Sequence, residues 1–237
     1  MNTKDFICKQ FRIYQENTAL KIGTDAFILG SYTNHFANKT ILDIGTGTGI
    51  LALMLAQKYP HAQIDAIEID EHACHDARFN FSRSKWNNKL TCIHNNITFY
   101  SQNCNTQYDI IISNPPFFHN SLISQNPRVS TAKHSISLTP SSLLQSVSNL
   151  LSKDGIFSVI IPFSDKNTYI ELGLNINLYV IQELEILPFK ESAPNRIILV
   201  FSKQSTTYTK KQLYIRNKQK EYSTDYSNLM KDYLLKF

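Results

Sequence analysis

Residues 40–50 read Thr40-Ile41-Leu42-Asp43-Ile44-Gly45-Thr46-Gly47-Thr48-Gly49-Ile50. An apolar, β-branched run leads into a G-x-G-x-G turn, and a helical pattern begins directly after it. This order is typical of the first βαβ unit of an α/β protein, where glycines let a ligand lie against the backbone at the carboxyl edge of the sheet. The segment therefore predicts a ligand-binding α/β fold.

The middle of the chain continues this alternation of short β-branched runs and helical patterns, as βαβ units do. Five strands and three helices are predicted there, near 40–44, 62–68, 89–93, 108–113 and 155–161, and near 50–58, 71–83 and 139–151. Two further runs, 178–187 and 196–202, predict an antiparallel hairpin that closes one edge of the sheet. We therefore expect an α/β, Rossmann-like fold with a mixed seven-stranded sheet and helices on both faces.

Both ends of the chain are expected to belong to this single domain, 1–237. Residues 24–36 show a helical pattern that Thr24 or Asp25 can cap, at the end of an N-terminal cap segment, 1–37. From Lys203 onward eight bases stand against three acids, which accounts for the whole net charge of +5. A basic C-terminal extension, 204–237, suits contact with nucleic-acid phosphates, and a solvated face is the alternative. Near the end, apolar side chains at helical spacing predict a short helix that docks this extension on the body: Tyr226, Leu229, Met230, Tyr233 and Leu234.

Composition predicts a soluble, cytoplasmic protein. The chain has 237 residues, 42% of them hydrophobic, which suits one well-buried α/β domain. Its N-terminus has no apolar h-region, and its apolar stretches are shorter than a membrane span. The cysteines form no C-x-x-C pair and no His cluster has metal-ligand spacing, so neither a disulfide framework nor a metal site is expected. We expect no membrane contact, and a monomer is the favoured state.

Residues after the glycine turn suit a nucleoside cofactor. The dinucleotide fingerprint G-x-G-x-x-G needs glycine at position 50, and Ile50 therefore disfavours a pyrophosphate. Glu68 ends the next predicted strand, 23 residues after Gly45, where an acid can accept both hydroxyls of a ribose. Ile69 can then cover one face of the adenine. An exposed strand-end carboxylate is the alternative for Glu68.

The predicted cofactor site also includes the turn glycines Gly45, Gly47 and Gly49. Asn96 follows the third predicted strand, where an amide can both donate to and accept from an adenine edge, and a plain asparagine turn is the alternative. Asp43 precedes the turn, where its carboxylate can orient a cationic amino group that offsets the cost of burial. A cationic amino acid joined to adenosine predicts S-adenosyl-L-methionine as the cofactor.

Residues 108–118 predict a buried strand that ends in Asn114-Pro115-Pro116-Phe117. Two successive prolines extend the backbone and remove two N–H donors, which leaves the Asn114 side chain and the Pro115 carbonyl as rigid acceptors. An aryl amine is a poor nucleophile because its lone pair is delocalised into the ring. Accepting both amine protons favours the pyramidal form, whose positive charge grows during methyl transfer. The motif predicts methylation of an exocyclic amine, and an ordinary Pro-Pro loop is the alternative.

The loop after this strand carries the predicted contacts with the substrate. Phe117 or Phe118 would stack on a target ring that has left its own stack. Arg128, Lys133 and His134 would reach RNA phosphates near the pocket, and solvated side chains are the alternative. An RNA substrate follows from this interpretation.

With these motifs the chain resembles the class I methyltransferases that carry Asn-Pro-Pro-Phe, and more closely the bacterial tRNA1(Val) (adenine(37)-N6)-methyltransferase family. The resemblance covers nearly the whole chain and is carried by residues 11–15, 21–25, 41–49, 114–118, 128, 133–134, 195–196 and 231–237. It implies methyl transfer to the 6-amino group of adenosine 37 in a valine tRNA. It also implies that Lys21, Thr24 and Asp25 help to close the cofactor pocket. Asn96 stands where many relatives carry Asp, and Lys133 where Arg is more usual.

Three other functions fit part of the pattern. A methyltransferase for a glutamine side chain of a translation factor would use the same two acceptors, but such enzymes typically have Tyr in place of Phe117. A methyltransferase for the 2-amino group of guanine in ribosomal RNA shares the motif, but often carries a duplicated second domain. A non-catalytic RNA-binding scaffold has the same fold. The intact glycine turn, Glu68 and Asn114 argue against the scaffold.

Overall fold

A computed structural model describes residues 5–16, 22–37, 39–116 and 138–237. The elements of these residues, in chain order, are β1 (Phe6–Ile7), β2 (Arg12–Ile13), α1 (Thr24–Tyr32), β3 (Thr40–Ile44), α2 (Ile50–Lys58), β4 (Gln63–Glu68), α3 (Glu71–Ser82), β5 (Leu90–His94), α4 (Ile97–Asn103), β6 (Tyr108–Ser113), α5 (Pro140–Leu150), β7 (Leu151–Pro162), α6 (Lys166–Leu174), β8 (Tyr179–Phe189), β9 (Arg196–Ser202), β10 (Thr209–Arg216) and α7 (Thr224–Met230). No helix among these elements is long and apolar enough to cross a bilayer.

One mixed sheet organises the described part of the chain, with strand order β10-β8-β9-β7-β6-β3-β4-β5. The strands from β7 to β5 in this order are parallel, β9 is antiparallel to both of its neighbours, and β10 is parallel to β8. Helices α1, α2, α3 and α7 pack on one face, and α4, α5 and α6 pack on the other. Because both faces are covered, the central strands are mainly apolar, as in other parallel sheets. The predicted Rossmann-like α/β fold is confirmed.

The edge beyond β7 differs from the prediction. The sheet has eight strands rather than seven, because β10, inside the segment predicted as a basic extension, pairs with β8. The predicted antiparallel hairpin exists as β8 and β9, with β9 beside β7, but β10 pairs with the outer side of β8 and is the edge strand. Most side chains of β10 are exposed and two are lysines, Lys210 and Lys211. Such a protected edge strand lacks the apolar period on which a strand prediction relies.

Helix α1 is shorter than predicted and begins differently. It ends at Tyr32 rather than Phe36, and its N-cap is Gly23, which makes no side-chain cap. The prediction that Thr24 or Asp25 caps the helix was therefore wrong. The Asp25 carboxylate instead accepts a hydrogen bond from Arg196 Nε at 2.9 Å, within an ion pair. Arg196, at the start of β9, thus binds the Asp25 carboxylate that the local sequence predicted as a cap of α1.

Lys58 closes the other end of α1 from the last turn of α2. Its Nζ donates to the carbonyl oxygens of Gly30, Ser31 and Thr33 at 3.0, 2.6 and 2.7 Å. The last carbonyls of a helix have no partner within the helix, so a buried cation there satisfies them and interacts favourably with the helix dipole. Burial lowers the pKa of Lys58 to about 8. The residue is still charged at neutral pH.

Replacement of Lys58 by Met should therefore lower the free energy of unfolding by about 1–3 kcal/mol, because Met keeps the apolar stem but leaves buried carbonyls without a donor. Urea denaturation followed by circular dichroism measures this difference. Lys153→Met, at an exposed position, is the matched control and should change stability by less than about 0.5 kcal/mol. Equal effects of the two variants would show that the three contacts of Lys58 do not stabilise the helix end.

The two ends of the chain pack together beside α2. Tyr226, Met230 and Tyr233 are buried, and Leu229 and Leu234 pack against the same core. Nearby, the backbone N–H at position 9 donates to the carbonyl at position 233 at 2.8 Å. The predicted apolar side chains thus dock the C-terminal segment on the body, but α7 ends at Met230, so Tyr233 and Leu234 follow the helix rather than belong to it.

Candidate active site

The glycine turn after β3 leaves open space above its backbone. Gly45 and Gly47 have φ values of +71° and +55°, in the left-handed region that favours glycine. A Cβ atom at either position would meet no atom within 4 Å. At Gly49, by contrast, a Cβ would lie 2.4 Å from the Phe81 ring, so the third glycine allows α3 to pack against the turn. The first two glycines therefore border a space that a ligand can occupy.

Asp43 stabilises the glycine turn through hydrogen bonds. It is completely buried, and its Oδ2 accepts hydrogen bonds from Thr46 Oγ1 at 2.6 Å and from the N–H of Ala52 at 3.2 Å. Its Oδ1 is also buried and has no hydrogen-bond partner among the described residues. The structure thus shows a positioning role for Asp43 between β3, the turn and α2. Contact with a cofactor amino group stays a prediction.

The burial of Asp43 predicts an unusual pH dependence of stability. Desolvation raises its pKa from 3.8 to about 7 on folding, so between these values the folded protein keeps a proton that the unfolded chain has released. This contribution to stability is complete below the unfolded pKa and is lost as the pH rises through about 7. Between pH 5 and pH 8 the wild type without cofactor should lose on the order of 5 °C in Tm relative to Asp43→Asn, which cannot titrate there. Calorimetric scans of both proteins test this, and parallel pH profiles would contradict it.

Glu68, at the end of β4, is fixed by three backbone N–H groups. Its Oε2 accepts from Gly47 at 2.9 Å, and its Oε1 accepts from Ile69 at 2.9 Å and from Asp70 at 3.0 Å. A carboxylate offers about four acceptor sites, so room remains for one ribose hydroxyl, and a second would have to share an oxygen. Ile69 beside it is 44% exposed, as a residue that covers an adenine face would be. The geometry places the acid against the turn.

Asn96 lies at the end of the neighbouring strand β5. It is the N-cap of α4, and its Oδ1 accepts from the N–H of Thr98 at 2.8 Å. This is the local role that asparagine often has at a helix start. The side chain is exposed, and its NH₂ group can still donate to a ligand. The predicted contact with an adenine edge stays a prediction.

Asn114 follows β6, the neighbour of β3 on the other side. Ser113 pairs with Ile44, and its hydroxyl donates to the Ile44 carbonyl at 2.9 Å. Asn114 is therefore about one strand spacing, 4.8 Å, from the start of the glycine turn. Its side chain is half-buried, and the following Pro115 is buried. The strands β4 and β6 lie on opposite sides of β3. The loops that follow β3 and β6 therefore meet at a switch point of the sheet, where ligands of α/β proteins bind.

Several predicted site residues lie outside the described residues: Lys21, Phe117, Phe118, Arg128, Lys133 and His134. Thr24 is exposed at the start of α1. Asp25 is paired with Arg196, which lies opposite Pro162 at the end of β7. The N-terminal segment is thus attached to the carboxyl edge of the sheet, and cofactor contacts of Thr24 and Asp25 stay predictions. Among the described residues no group of three or more His, Cys, Asp or Glu side chains is placed to hold a metal ion.

Sequence reasoning missed Asn80, which joins the N-terminal segment to the glycine turn. This buried amide accepts from the N–H of Tyr14 at 2.8 Å, and donates to the carbonyls of Tyr14 and Thr48 at 2.8 and 2.9 Å. Asn80 follows Ala73 and Ala77 on the buried side of α3. The position of this amide in an apolar stripe could have indicated its role, because a buried amide needs hydrogen-bond partners.

Comparison with known proteins identifies the family of the chain. The family described as "Methyltransferase small domain" matches residues 16–162. Proteins called tRNA1(Val) (adenine(37)-N6)-methyltransferase from Histophilus somni and Trichodesmium erythraeum are 34% and 36% identical to it, over 99% and 100% of this chain and 98% and 100% of theirs.

Solved structures agree on the fold. A predicted O-methyltransferase from Agrobacterium tumefaciens superposes with a TM-score of 0.72 at 14% identity, over 88% of this chain and 96% of its own. At this identity the likeness concerns the fold alone. The full-length match to the relatives confirms the resemblance inferred from the motifs. The chain belongs to the methyltransferase small domain family and to the tRNA1(Val) (adenine(37)-N6)-methyltransferase family.

Proposed function

We propose that the protein transfers the methyl group of S-adenosyl-L-methionine to the 6-amino group of adenosine 37 in a valine tRNA, in the cytoplasm. One observation carries the proposal: Asn114 and Pro115 follow β6 directly beside the glycine turn, at the switch point of the sheet. The relatives named for this reaction match the chain over nearly its whole length. An amine acceptor site next to a cofactor turn is the arrangement that this reaction needs.

The described residues fit the proposed cofactor. Open space lies above Gly45 and Gly47, and Glu68 is held beside it by backbone donors. Exposed Ile69 offers an apolar surface for an adenine ring. When bound, S-adenosyl-L-methionine supplies an electrophilic methyl group on a positively charged sulfur. The protein would then have to bring an amine nitrogen into line with that methyl group.

Asn114 and Pro115 would do this with two acceptors. The Asn114 side-chain oxygen and the Pro115 carbonyl would accept the two protons of the 6-amino group, which localises the nitrogen lone pair and aims it at the methyl group. As the new N–C bond forms, the bond between the methyl group and sulfur would break with its electron pair left on sulfur, and positive charge would pass to the nitrogen. Both acceptors would stabilise this charge in a partly desolvated site. The extra proton then passes to solvent. The stiff Pro-Pro backbone keeps the acceptors in place, which lowers the entropy cost of alignment. Phe117 would stack on the adenine as Asn114 binds it, with Phe118 beside it.

Methylation of defined RNAs tests this function. The protein is incubated with labelled cofactor and an unmodified valine tRNA transcript, and digested nucleosides are analysed by mass spectrometry. We expect N6-methyladenosine, and we expect none when adenosine 37 is replaced by guanosine. A parallel reaction contains protein extract and ribosomal RNA. Label on a glutamine or on the 2-amino group of guanine there would show that the substrate assignment is wrong. Calorimetric binding of the cofactor without transfer to any RNA or protein would indicate a scaffold instead.

A further inference from the structure

The strands beyond β7 extend past the edge where the candidate active site lies. Arg196 pairs with both Pro162 of β7 and Ile186 of β8, so these three residues are level across the sheet. From there β8 continues three residues to Phe189, which pairs with Arg216 at the end of β10. At 3.3 Å per residue, the ends of β8 and β10 project about 10 Å beyond the end of β7. They form a ridge on the carboxyl side of the sheet.

This ridge carries a concentration of exposed positive charge. We call five of its residues the basic edge: Phe189, Lys190, Arg216, Lys218 and Lys220. Four of them are cations, against two exposed acids in the same two turns, Glu191 and Glu221. Lys218 and Glu191 pair at 2.6 Å but are 69% and 70% exposed, so solvent screens this contact. The basic edge therefore keeps a net positive charge.

Two other bases of the C-terminal segment, Lys210 and Lys236, make contacts within the protein. Lys210, at the start of β10, pairs with buried Glu185 at 2.7 Å. Nζ of Lys236 lies 4.8 Å from the centre of the Tyr222 ring. The excess charge of the segment is therefore spread over its surface: Lys211 and Lys231 are exposed elsewhere, and Arg216, Lys218 and Lys220 lie together at the carboxyl edge.

The turn after β10, which carries Lys218 and Lys220, is held by contacts within the protein. The Arg216 guanidinium lies over the Tyr222 ring at 4.5 Å and donates to the carbonyl of Lys220. Asn217 closes the turn, because its Oδ1 accepts from the N–H groups of Gln219 and Glu221, both at 3.0 Å. Lys220 adopts a left-handed backbone with φ of +62°, which is costly for a residue other than glycine. Binding to preordered cations loses less conformational entropy than binding to flexible ones.

We infer that the basic edge binds the sugar–phosphate backbone of the tRNA arm that presents the target adenine, with Phe189 stacking on an unpaired base. This rests on the proposed function. The sheet order separates β10 from β6 by four strand spacings, about 20 Å. A base held at Asn114 thus leaves the neighbouring part of the same RNA arm within reach of the ridge. Phe189 is 53% exposed beside the cations, the combination that RNA-binding surfaces use.

Charge reversal tests the cations. Lys190→Glu with Lys220→Glu should raise the Kd for valine tRNA at least about 10-fold, measured by filter binding at fixed salt. The matched control reverses two exposed lysines at the opposite, amino edge of the sheet, Lys39→Glu with Lys153→Glu. It has the same net charge and should stay within about 2-fold of wild type. Equal weakening in both double variants would reduce the effect to overall charge and overturn the inference.

Two single variants separate phosphate contact from stacking and from folding defects. Lys220→Gly removes a charge and relieves the left-handed strain, so the protein should stay folded while the slope of log K against log salt falls by about 1. Phe189→Ala should weaken binding about 5- to 100-fold with an unchanged salt slope, as loss of stacking does. An unchanged tRNA affinity in both variants would overturn the inference.

The proposed function and this inference fail in different ways. If the wild type binds cofactor but forms no N6-methyladenosine in tRNA, the proposed function is wrong. If the wild type methylates adenosine 37 and the Lys190 and Lys220 double variant has wild-type Kd and KM for tRNA, only the basic edge is wrong. Cofactor affinity, measured by calorimetry, should be the same in all these proteins.

Discussion

Replacement of Asn114 by Ala should lower kcat for tRNA methylation by about 100- to 1,000-fold, while the affinity for S-adenosyl-L-methionine stays nearly unchanged. The side chain would accept an amine proton while positive charge develops on that nitrogen, so its contribution is larger in the transition state than in the bound substrate. Alanine removes this acceptor and keeps the Pro-Pro backbone. The loss should therefore appear in kcat rather than in KM.

Single-turnover assays with saturating cofactor and tRNA measure this effect, and calorimetry measures cofactor affinity. Asn88→Ala, at an exposed position before β5, is the matched control and should keep wild-type kcat. Full activity of Asn114→Ala would remove the basis of the proposed chemistry. An equal loss of cofactor affinity and kcat would mean that Asn114 shapes the cofactor site rather than the amine site.

The second large effect is expected at Glu68. Glu68→Ala should raise the Kd for S-adenosyl-L-methionine at least about 100-fold. The charged acceptor for a ribose hydroxyl is lost, and the N–H groups of Gly47, Ile69 and Asp70 lose their partner. One hydrogen bond to a charged group is worth about 1.5–3 kcal/mol, and each 1.4 kcal/mol is a factor of ten in Kd. The Kd of Glu68→Gln should lie between those of the wild type and Glu68→Ala, because one side-chain oxygen remains but an NH₂ group then faces a backbone N–H.

Calorimetric titration of each variant with the cofactor checks this order. Glu71→Ala is a suitable control, since it removes an exposed acid three residues away, in the first turn of α3. Its Kd should stay within about 2-fold of wild type, and the tRNA affinity of all three variants should be unchanged. A wild-type cofactor Kd in Glu68→Ala, with an unchanged Tm, would exclude Glu68 from the cofactor site.

Elements with a strong local signal were predicted with nearly correct bounds. Strand β3 and helix α2 begin and end at the predicted residues, and β4 to β7 and α3 agree within a few positions. The agreement follows from burial on both faces of the sheet, which makes these strands continuous apolar runs between turns. Helices α4 and α6 were not predicted. Each of them buries only two residues, so neither has the apolar stripe on which a helix prediction relies.

Some features of the candidate site were likewise predicted from the sequence, and others were not. Gly45, Glu68 and Asn114 stand at the ends of apolar runs, and parallel strands bring such ends to one edge of a sheet, so contiguous residues were enough to predict that they lie together. A buried Asp43 was expected, but its hydrogen bond with the N–H of Ala52 was not. The helix cap made by Asn96 is a local contact, close to the asparagine turn that the sequence allowed.

Local periodicity and turn chemistry thus predicted the fold class and the position of the glycine turn beside Asn114. Folding in three dimensions added the placement of β9 beside β7, the edge strand β10, the Asn80 link and the Asp25–Arg196 ion pair. The last two join residues 66 and 171 positions apart. Such contacts depend on the order in which strands pair, and that order is set by the free energy of the whole packed sheet rather than by any contiguous stretch of residues.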